Sequence, residues 1–287
     1  MRSSLLWIVP VAMVCTQALA EAAPKLEKET RTMKITASAG QPLTVSTRNG
    51  AVAVTRGNTD QMIITAEVFA KTKEDLAKIE ISMASDSDKG SSVEVEFPDP
   101  NRVSDMGCSL KIELPRANGV MIETTNGPIQ VSEMAGKAVL ETTNGPVMIS
   151  DQDGEVIVET MNAPVQAKDV KGTVTIKTSN GPVELSLHKD VSESFEIESS
   201  NAPVEVWMPR SFEGVLSAQT SNGNISFPAD AGLTKKPANR GYGTASGQAT
   251  FGKGGAASSI ETSNGPVTIR YRDEATGTPN QKKPAAH

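Results

Sequence analysis

Residues 124–147 read TTNGPIQVSEMAGKAVLETTNGPV. The stretch opens and closes on one motif, Thr-Thr-Asn-Gly-Pro followed by a β-branched residue, and its two asparagines, Asn126 and Asn144, stand 18 residues apart. Outward from here the motif returns at Thr160–Val165, Thr178–Val183, Ser199–Val204, Thr220–Ile225 and Thr262–Val267, with an early outlier at Thr47–Val52. The asparagines Asn126, Asn144, Asn162, Asn180, Asn201, Asn222 and Asn264 are separated by 18, 18, 18, 21, 21 and 42 residues. A fixed period near 20 marks a repeat array. The gap of 42 reads as two coils of 21, with one degenerate coil or an excursion between.

A second punctuation lies halfway, at Gly136, Gly154 and Gly172. One coil is therefore strand, Asn turn, strand, Gly turn. Between turns the residues alternate with period two, as a half-buried strand requires. Ala138, Leu140 and Thr142 fall on one face, and Val156, Val158 and Thr160 take the same places one coil later. Val147 and Ile149 align likewise with Val165 and Ala167, then Val183 and Leu185. A lone pair of such strands is marginal in water, whereas stacked coils bury each apolar column against the next. The expected fold is all-β: a parallel two-sided β-solenoid of about 18–21 residues per coil with an N-terminal β cap. A β-sandwich is the alternative, but sandwich strands rarely keep an even period.

The turn residues fit that reading. Ala163 and Ala202 stand where other copies have Gly, so this position needs no positive φ. Asn, present in every copy, is the expected left-handed residue. Stacking would also line the seven asparagines into a ladder of side-chain amides. Both roles are structural.

Residues 1–20 read as a secretory signal: Arg2, an apolar run from Leu5 to Cys15, and Ala18-Leu19-Ala20 as a small-x-small cleavage site. Val14 before Cys15 argues against lipidation. Cleavage would leave 267 residues and change the net charge from −6 to −7, which disfavours a nucleic-acid partner. No later stretch is apolar for long enough to insert in a membrane. The expected location is periplasmic or extracellular. Residues 21–32 read as a polar leader, 33–115 as the N-terminal β cap region, and 116–271 as the repeats, with an irregular Gly-rich insert at 229–258. Residues 272–287 read as a disordered tail. Within the cap, strands are expected at 33–37, 43–46, 52–55, 62–69, 93–97 and 110–114, with one short helix over 73–81. Cys108, alone after cleavage, reads as a small buried apolar residue.

Three features carry a family resemblance: the recurring Thr-Ser-Asn-Gly-x-Val, the short strands opened by Gly, and the entry Ile112-Glu113-Leu114-Pro115-Arg116. With them the chain resembles, over 33–271, the bacterial β-strand-repeat family labelled putative adhesin, a domain of unknown function. The resemblance implies a β-repeat fold and an adhesin-like role. It brings no catalytic motif.

Chemistry-bearing residues are few. The two histidines are His188, expected in an exposed loop, and His287 in the tail. No Cys/His cluster, phosphate loop or nucleophile elbow occurs, so no catalytic residue and no cofactor is predicted. Asp151-Gln152-Asp153-Gly154 is most simply a turn. Glu123, Glu141 and Glu159 should face outward in one column, continued by Lys177, Glu198, Gln219 and Glu261. Such neighbours repel by about 0.8 kcal/mol in water, tolerable on a wet face. A solvated face explains the column, and weak divalent-cation binding is its sharper reading. Trp207 should point outward, either covered by the 229–258 insert or serving as a partner anchor. The sequence thus points to a non-enzymatic exported envelope module whose partner is an unidentified envelope protein or glycan. The alternatives are a polysaccharide lyase or hydrolase, and a periplasmic sensing partner of a membrane signalling protein.

Overall fold

The structure, a computed structural model, describes residues 26–37, 40–86, 89–99, 105–115, 117–191, 193–237 and 243–272. The signal 1–20, the leader as far as residue 25, Arg116, residues 238–242 of the insert and tail residues 273–287 lie outside the described residues.

The first part of the chain forms β1 (Glu27–Thr36), β2 (Leu43–Ser46), β3 (Val52–Arg56), β4 (Gln61–Ala70), α1 (Lys73–Ala77), β5 (Glu80–Asp86), β6 (Gly90–Glu96) and β7 (Met106–Leu114). The repeats form β8 (Asn118–Thr124), β9 (Ile129–Ser132), β10 (Ala135–Thr142), β11 (Val147–Ser150), β12 (Val156–Thr160), β13 (Val165–Val170), β14 (Val174–Thr178) and β15 (Val183–Leu187). They continue as β16 (Phe195–Ser199), β17 (Val204–Met208), β18 (Gly214–Asn222), β19 (Ile225–Ser226), β20 (Gly232–Lys235), β21 (Ala245–Phe251), β22 (Ala256–Asn264) and β23 (Val267–Tyr271).

The chain changes sheet at each turn of the repeat. An 11-stranded sheet A runs β1-β4-β7-β3-β9-β11-β13-β15-β17-β23-β19, and a 12-stranded sheet B runs β20-β21-β18-β22-β16-β14-β12-β10-β8-β2-β6-β5. Within the repeats every pairing between successive copies is parallel and follows the period. Leu140 meets Val158, which meets Ile176, and Val147 meets Val165. The inward columns are those the alternation marks: Ala138, Leu140, Val156, Val158, Ile176 and Ile197 are at most 1 % exposed. Residues of both sheets belong to one apolar core. Each fully buried Val, Leu or Ile contributes about 1.5–3 kcal/mol, so the columns are the main stabilising feature.

The ends depart from chain order. β2 and β3 pair in parallel with β8 and β9, placing the early Asn49 copy directly against the Asn126 copy. β6 and β7 stack on the other side of β2 and β3. The later pair thus sits outside the earlier one. The far end does the same: β22 lies between β16 and β18, and β23 between β17 and β19. The 42-residue gap therefore holds no degenerate coil between Asn222 and Asn264. The last copy inserts ahead of the one before it, and the intervening chain turns back.

That chain corrects the reading of 229–258 as an irregular insert. Its described residues include β20 and β21, which pair antiparallel with each other, and β21 pairs antiparallel with β18. Antiparallel strands also finish the other end, β1 on β4 and β5 on β6. Edge strands invite pairing with other chains unless charged or short. β1 carries Glu27, Lys28, Glu29, Arg31 and Lys34, and the four residues of β20 are all exposed.

The short helix stops earlier than the expected residue 81. Thr72 caps its start, its hydroxyl accepting from the Asp75 N–H at 3.0 Å. Arg31 closes its end by donating to the Leu76 carbonyl at 3.1 Å and the Ile79 carbonyl at 2.6 Å. The Ile79 side chain is 1 % exposed, and Glu80 already begins β5.

Candidate functional site

The seven asparagines form one continuous amide chain. Asn144 donates to Asn126 at 2.8 Å, Asn162 to Asn144 at 2.9 Å, Asn180 to Asn162 at 2.9 Å and Asn201 to Asn180 at 2.9 Å. Asn264 then donates to Asn201 at 2.8 Å, and Asn222 to Asn264 at 2.9 Å, following the inserted order of the strands. Behind them sits a buried hydroxyl column. The Thr142 Oγ1 accepts from the Gly145 N–H at 3.2 Å, and Thr178 does the same for Gly181.

The expectation that Asn is left-handed is corrected. Among the described residues the non-glycine positive φ angles belong to Glu133 (59°), Asp151 (53°) and Asp169 (53°). All three stand at the Gly turn. The Asn side chain is needed for the ladder, which an ordinary φ already aims along the stack. The left-handed residues gather at the opposite corner, where Gly154 and Gly172 also have positive φ. Asp151–Gly154 is a turn of that corner, with Gln152 buried and donating to the Gly136 carbonyl at 2.8 Å.

On the outer face of sheet B, Glu123, Glu141 and Glu159 stand in register on adjacent strands. The row continues through Lys177, Glu198, Glu261 and Gln219. Lys177 lies 3.4 Å from Glu198. The row and the hydroxyls of Thr125, Thr143, Ser179 and Ser200 border an open trough of about 760 Å³. In-register strands lay the three carboxylates out along a line; they do not converge on a point. Among the described residues no three His, Cys, Asp or Glu side chains are placed to hold a metal ion. His188 is half-buried, its Nδ1 accepting from the Asp190 N–H at 3.2 Å, where an exposed residue was expected.

Trp207 is the richest position. Strand alternation sends Val204, Val206 and Met208 inward and Trp207 to the outer face of sheet A, yet it is only 4 % exposed. It is paired in register with Ser186 of β15 and Arg270 of β23. The Arg270 guanidinium carbon lies 5.4 Å from the centre of its ring, and Arg270 Nε is 2.9 Å from Glu205. Cation–π contacts of this kind contribute about 0.5–2 kcal/mol. A second such contact sits alongside. Arg210 lies 4.6 Å from the centre of the Tyr271 ring and 3.1 Å from Asp230. Burial and Asp230 lift the Tyr271 phenol above its usual value, against the pull of Arg210. Tyr271 meets Phe251 edge-on at 6.4 Å, and Phe251 meets Phe212 at 6.0 Å, tying the cluster to the core. Trp207, Arg210, Phe227, Arg270 and Tyr271 line one hollow of about 510 Å³.

Only Trp207 of this group was singled out from the sequence. Arg270 and Tyr271 come to it because the last copy is inserted next to β17, which the spacing of 42 does not reveal. The Thr-Ser-Asn-Gly-Pro-Val motif of the last copy marks where β23 starts, and that was the available signal.

Cys108 is buried, with its thiol pushed up to about 12 by desolvation. It is no nucleophile near neutral pH. Among the described residues no helix is long and apolar enough to cross a membrane.

Residues 138–231 match the family model of a domain of unknown function, DUF7330. No curated protein matches the chain. Among solved structures, a putative cell adhesion protein from Clostridium sporogenes is 12 % identical with a TM-score of 0.39, covering 86 % of this chain and 100 % of its own. A putative adhesin from Bacteroides fragilis is 9 % identical with a TM-score of 0.40, covering 85 % and 97 %. A putative lipid binding protein from Parabacteroides distasonis is 10 % identical with a TM-score of 0.37, covering the same shares, 85 % and 97 %. Likenesses this distant specify neither ligand nor activity. The family-model match at 138–231 lies within the stretch 33–271 over which the repeats resemble the putative-adhesin family, itself a domain of unknown function.

Proposed function

We propose that the protein is a non-enzymatic, exported envelope module that binds a partner through the hollow beside Trp207. The finer architecture belongs to this reading: the two sheets act as the sides of a β-solenoid, a stiff frame stacked from coils. The parallel in-register pairing at intervals of 18 and 21 residues supports it. The signal-like residues 1–20 support export to the periplasm or cell surface.

The observation that carries the functional reading is the convergence at the hollow. A buried tryptophan, two arginines stacked on aromatic rings, and a half-buried tyrosine meet at one end of the frame. Tryptophan, tyrosine and arginine dominate binding hot spots. Crosslinking capture from envelope extract tests this, comparing wild type with Trp207→Phe and Arg270→Gln. A specific envelope component, lost by about tenfold in either variant while each still shows a cooperative melting transition, is the expected result. Capture that ignores both substitutions would place the binding surface elsewhere.

A further inference from the structure

We propose that the outer face of β8, β10 and β12 docks a basic amphipathic helix of a partner protein. The apolar stripe of that helix lies on Met121, Val139 and Ile157, and its cationic stripe on Glu123, Glu141 and Glu159. This surface belongs to sheet B and is separate from the Trp207 hollow on sheet A.

The first observation is where outward apolar residues occur. Met121, Val139 and Ile157 are neighbours in register on the outer face of sheet B. The same position holds Thr44 on β2, Thr175 on β14, Glu196 on β16, Ser259 on β22 and Ser217 on β18. The row is thus apolar on three adjacent strands and polar on either side of them. Met121 is 50 % exposed, and Val139 and Ile157 are half-buried. Valine and isoleucine suit any strand, but a methionine held half in water gains little from strand propensity.

The second is the charge beside that row. Two residues farther along the same three strands stand Glu123, Glu141 and Glu159, all exposed. Outside those strands the position changes to Ser46 on β2 and Lys177 on β14. The acidic run and the apolar run therefore end at the same strands. Among the described residues the three carboxylates take part in no ion pair, and Lys177 lies 3.4 Å from Glu198 instead. Their mutual repulsion is left for cations from outside to relieve. Spread along a line, they suit a linear cationic partner and not a single ion.

The third is the spacing. Like residues on adjacent strands lie about 4.8 Å apart across the sheet, and the two rows lie about 6.6 Å apart along it. An α-helix laid across the strands returns a side chain about every 5.4 Å, and at about 10 Å wide it covers both rows. An extended segment laid the same way returns its facing side chains about every 6.6 Å and is out of step by the third strand. A helix with aliphatic residues on one stripe and Lys or Arg on the next presents both halves of the pattern. The same acids repel anionic lipid surfaces and nucleic acid, which disfavours those as occupants.

Fluorescence anisotropy of a labelled helical peptide, about 18 residues long, titrated with the full protein tests the proposal. The peptide carries leucines on one stripe and lysines on the adjoining one. A scrambled peptide of the same composition and a version interrupted by prolines serve as comparisons. The striped peptide should bind, and both comparison peptides about tenfold more weakly, because one loses the stripes and the other the helix. The triple variant Glu123→Gln, Glu141→Gln, Glu159→Gln should weaken binding about tenfold and remove most of its salt dependence. The triple variant Met121→Thr, Val139→Thr, Ile157→Thr continues the flanking threonines through the row and should weaken binding by a similar factor. Melting curves identify any variant that fails to fold. The glutamine triple changes only exposed side chains and keeps the test decisive if the threonine triple does not fold. No binding of the striped peptide, equal binding of the scrambled one, or unchanged binding in a folded triple variant would overturn the proposal. Equal binding of the proline version would overturn it in favour of an extended basic segment.

Discussion

At the scale of single residues, the repeated motif is a division of labour between Asn, the buried hydroxyl behind it and the acidic residue at the opposite corner. Asn162 both donates to Asn144 and accepts from Asn180, whereas Asn126 only accepts within the ladder. With each ladder bond contributing about 0.5–1.5 kcal/mol, Asn162→Ala should cost about 1–3 kcal/mol and Asn126→Ala about half that, measured by denaturant unfolding. Equal losses would mean that the ladder is not the source. Glu133 holds φ at 59°, a region where its Cβ crowds the backbone and where Asn is better tolerated. Glu133→Asn should therefore stabilise by about 0.5–1 kcal/mol. The ladder itself was legible, because every copy has Asn and the copies recur at intervals of 18 or 21 residues, or twice 21. Where the left-handed residues lie was not: sequence shows which residues tolerate positive φ, not which corner demands it. Cys108 gives a pH prediction with a definite sign. Its thiol is raised from 9.0 to about 12 by burial, so folding favours the protonated form. The stability this contributes is whole below pH 9 and is lost as pH rises toward 12. Melting temperature should fall over that window more steeply in the wild type than in Cys108→Ala, and iodoacetamide should label Cys108 at pH 8 only after unfolding.

At the scale of strands, the alternation placed the inward columns correctly because each coil repeats the same two faces. The order of coils at the ends was illegible, since spacing along a chain does not say on which side of its predecessor a strand pairs. β22 and β23 fit between earlier strands because their inward residues match the columns on both sides: Ile260 lies against Ile197 and Ala218, and Val267 against Val204 and Ile225. The order can be checked by crosslinking. Adjacent strands lie about 4.8 Å apart, within disulfide reach, and next-but-one strands do not. Asn201→Cys with Asn264→Cys should oxidise to a bridge, while Asn201→Cys with Asn222→Cys should not. The opposite result would restore chain order. This point bears on function, since the insertion of β23 beside β17 is what brings Arg270 to Trp207.

At the scale of the whole molecule, like strands of successive copies stack in parallel in two sheets, and Trp207, Arg210, Arg270 and Tyr271 line one hollow towards one end. Trp207 was found from the sequence as an outward tryptophan, but the hollow around it was not, because its members come from three separate stretches of chain. The acidic row was fully legible and is a line of separate charges on a wet face. If the coil is the unit of construction, stability is nearly a sum over neighbouring coils, and one coil can be removed without disturbing the rest. Deleting residues 156–173 excises one period of 18 and rejoins the chain so that Val174 replaces Val156 and Asn180 stacks on Asn144. Deleting residues 156–172 removes one fewer and turns every following side chain to the wrong face. The decisive measurement is the thermal unfolding of these two variants, followed by circular dichroism. A cooperative transition with a moderately lowered midpoint for the first, and none for the second, is the predicted result; equal behaviour of the two would contradict the account.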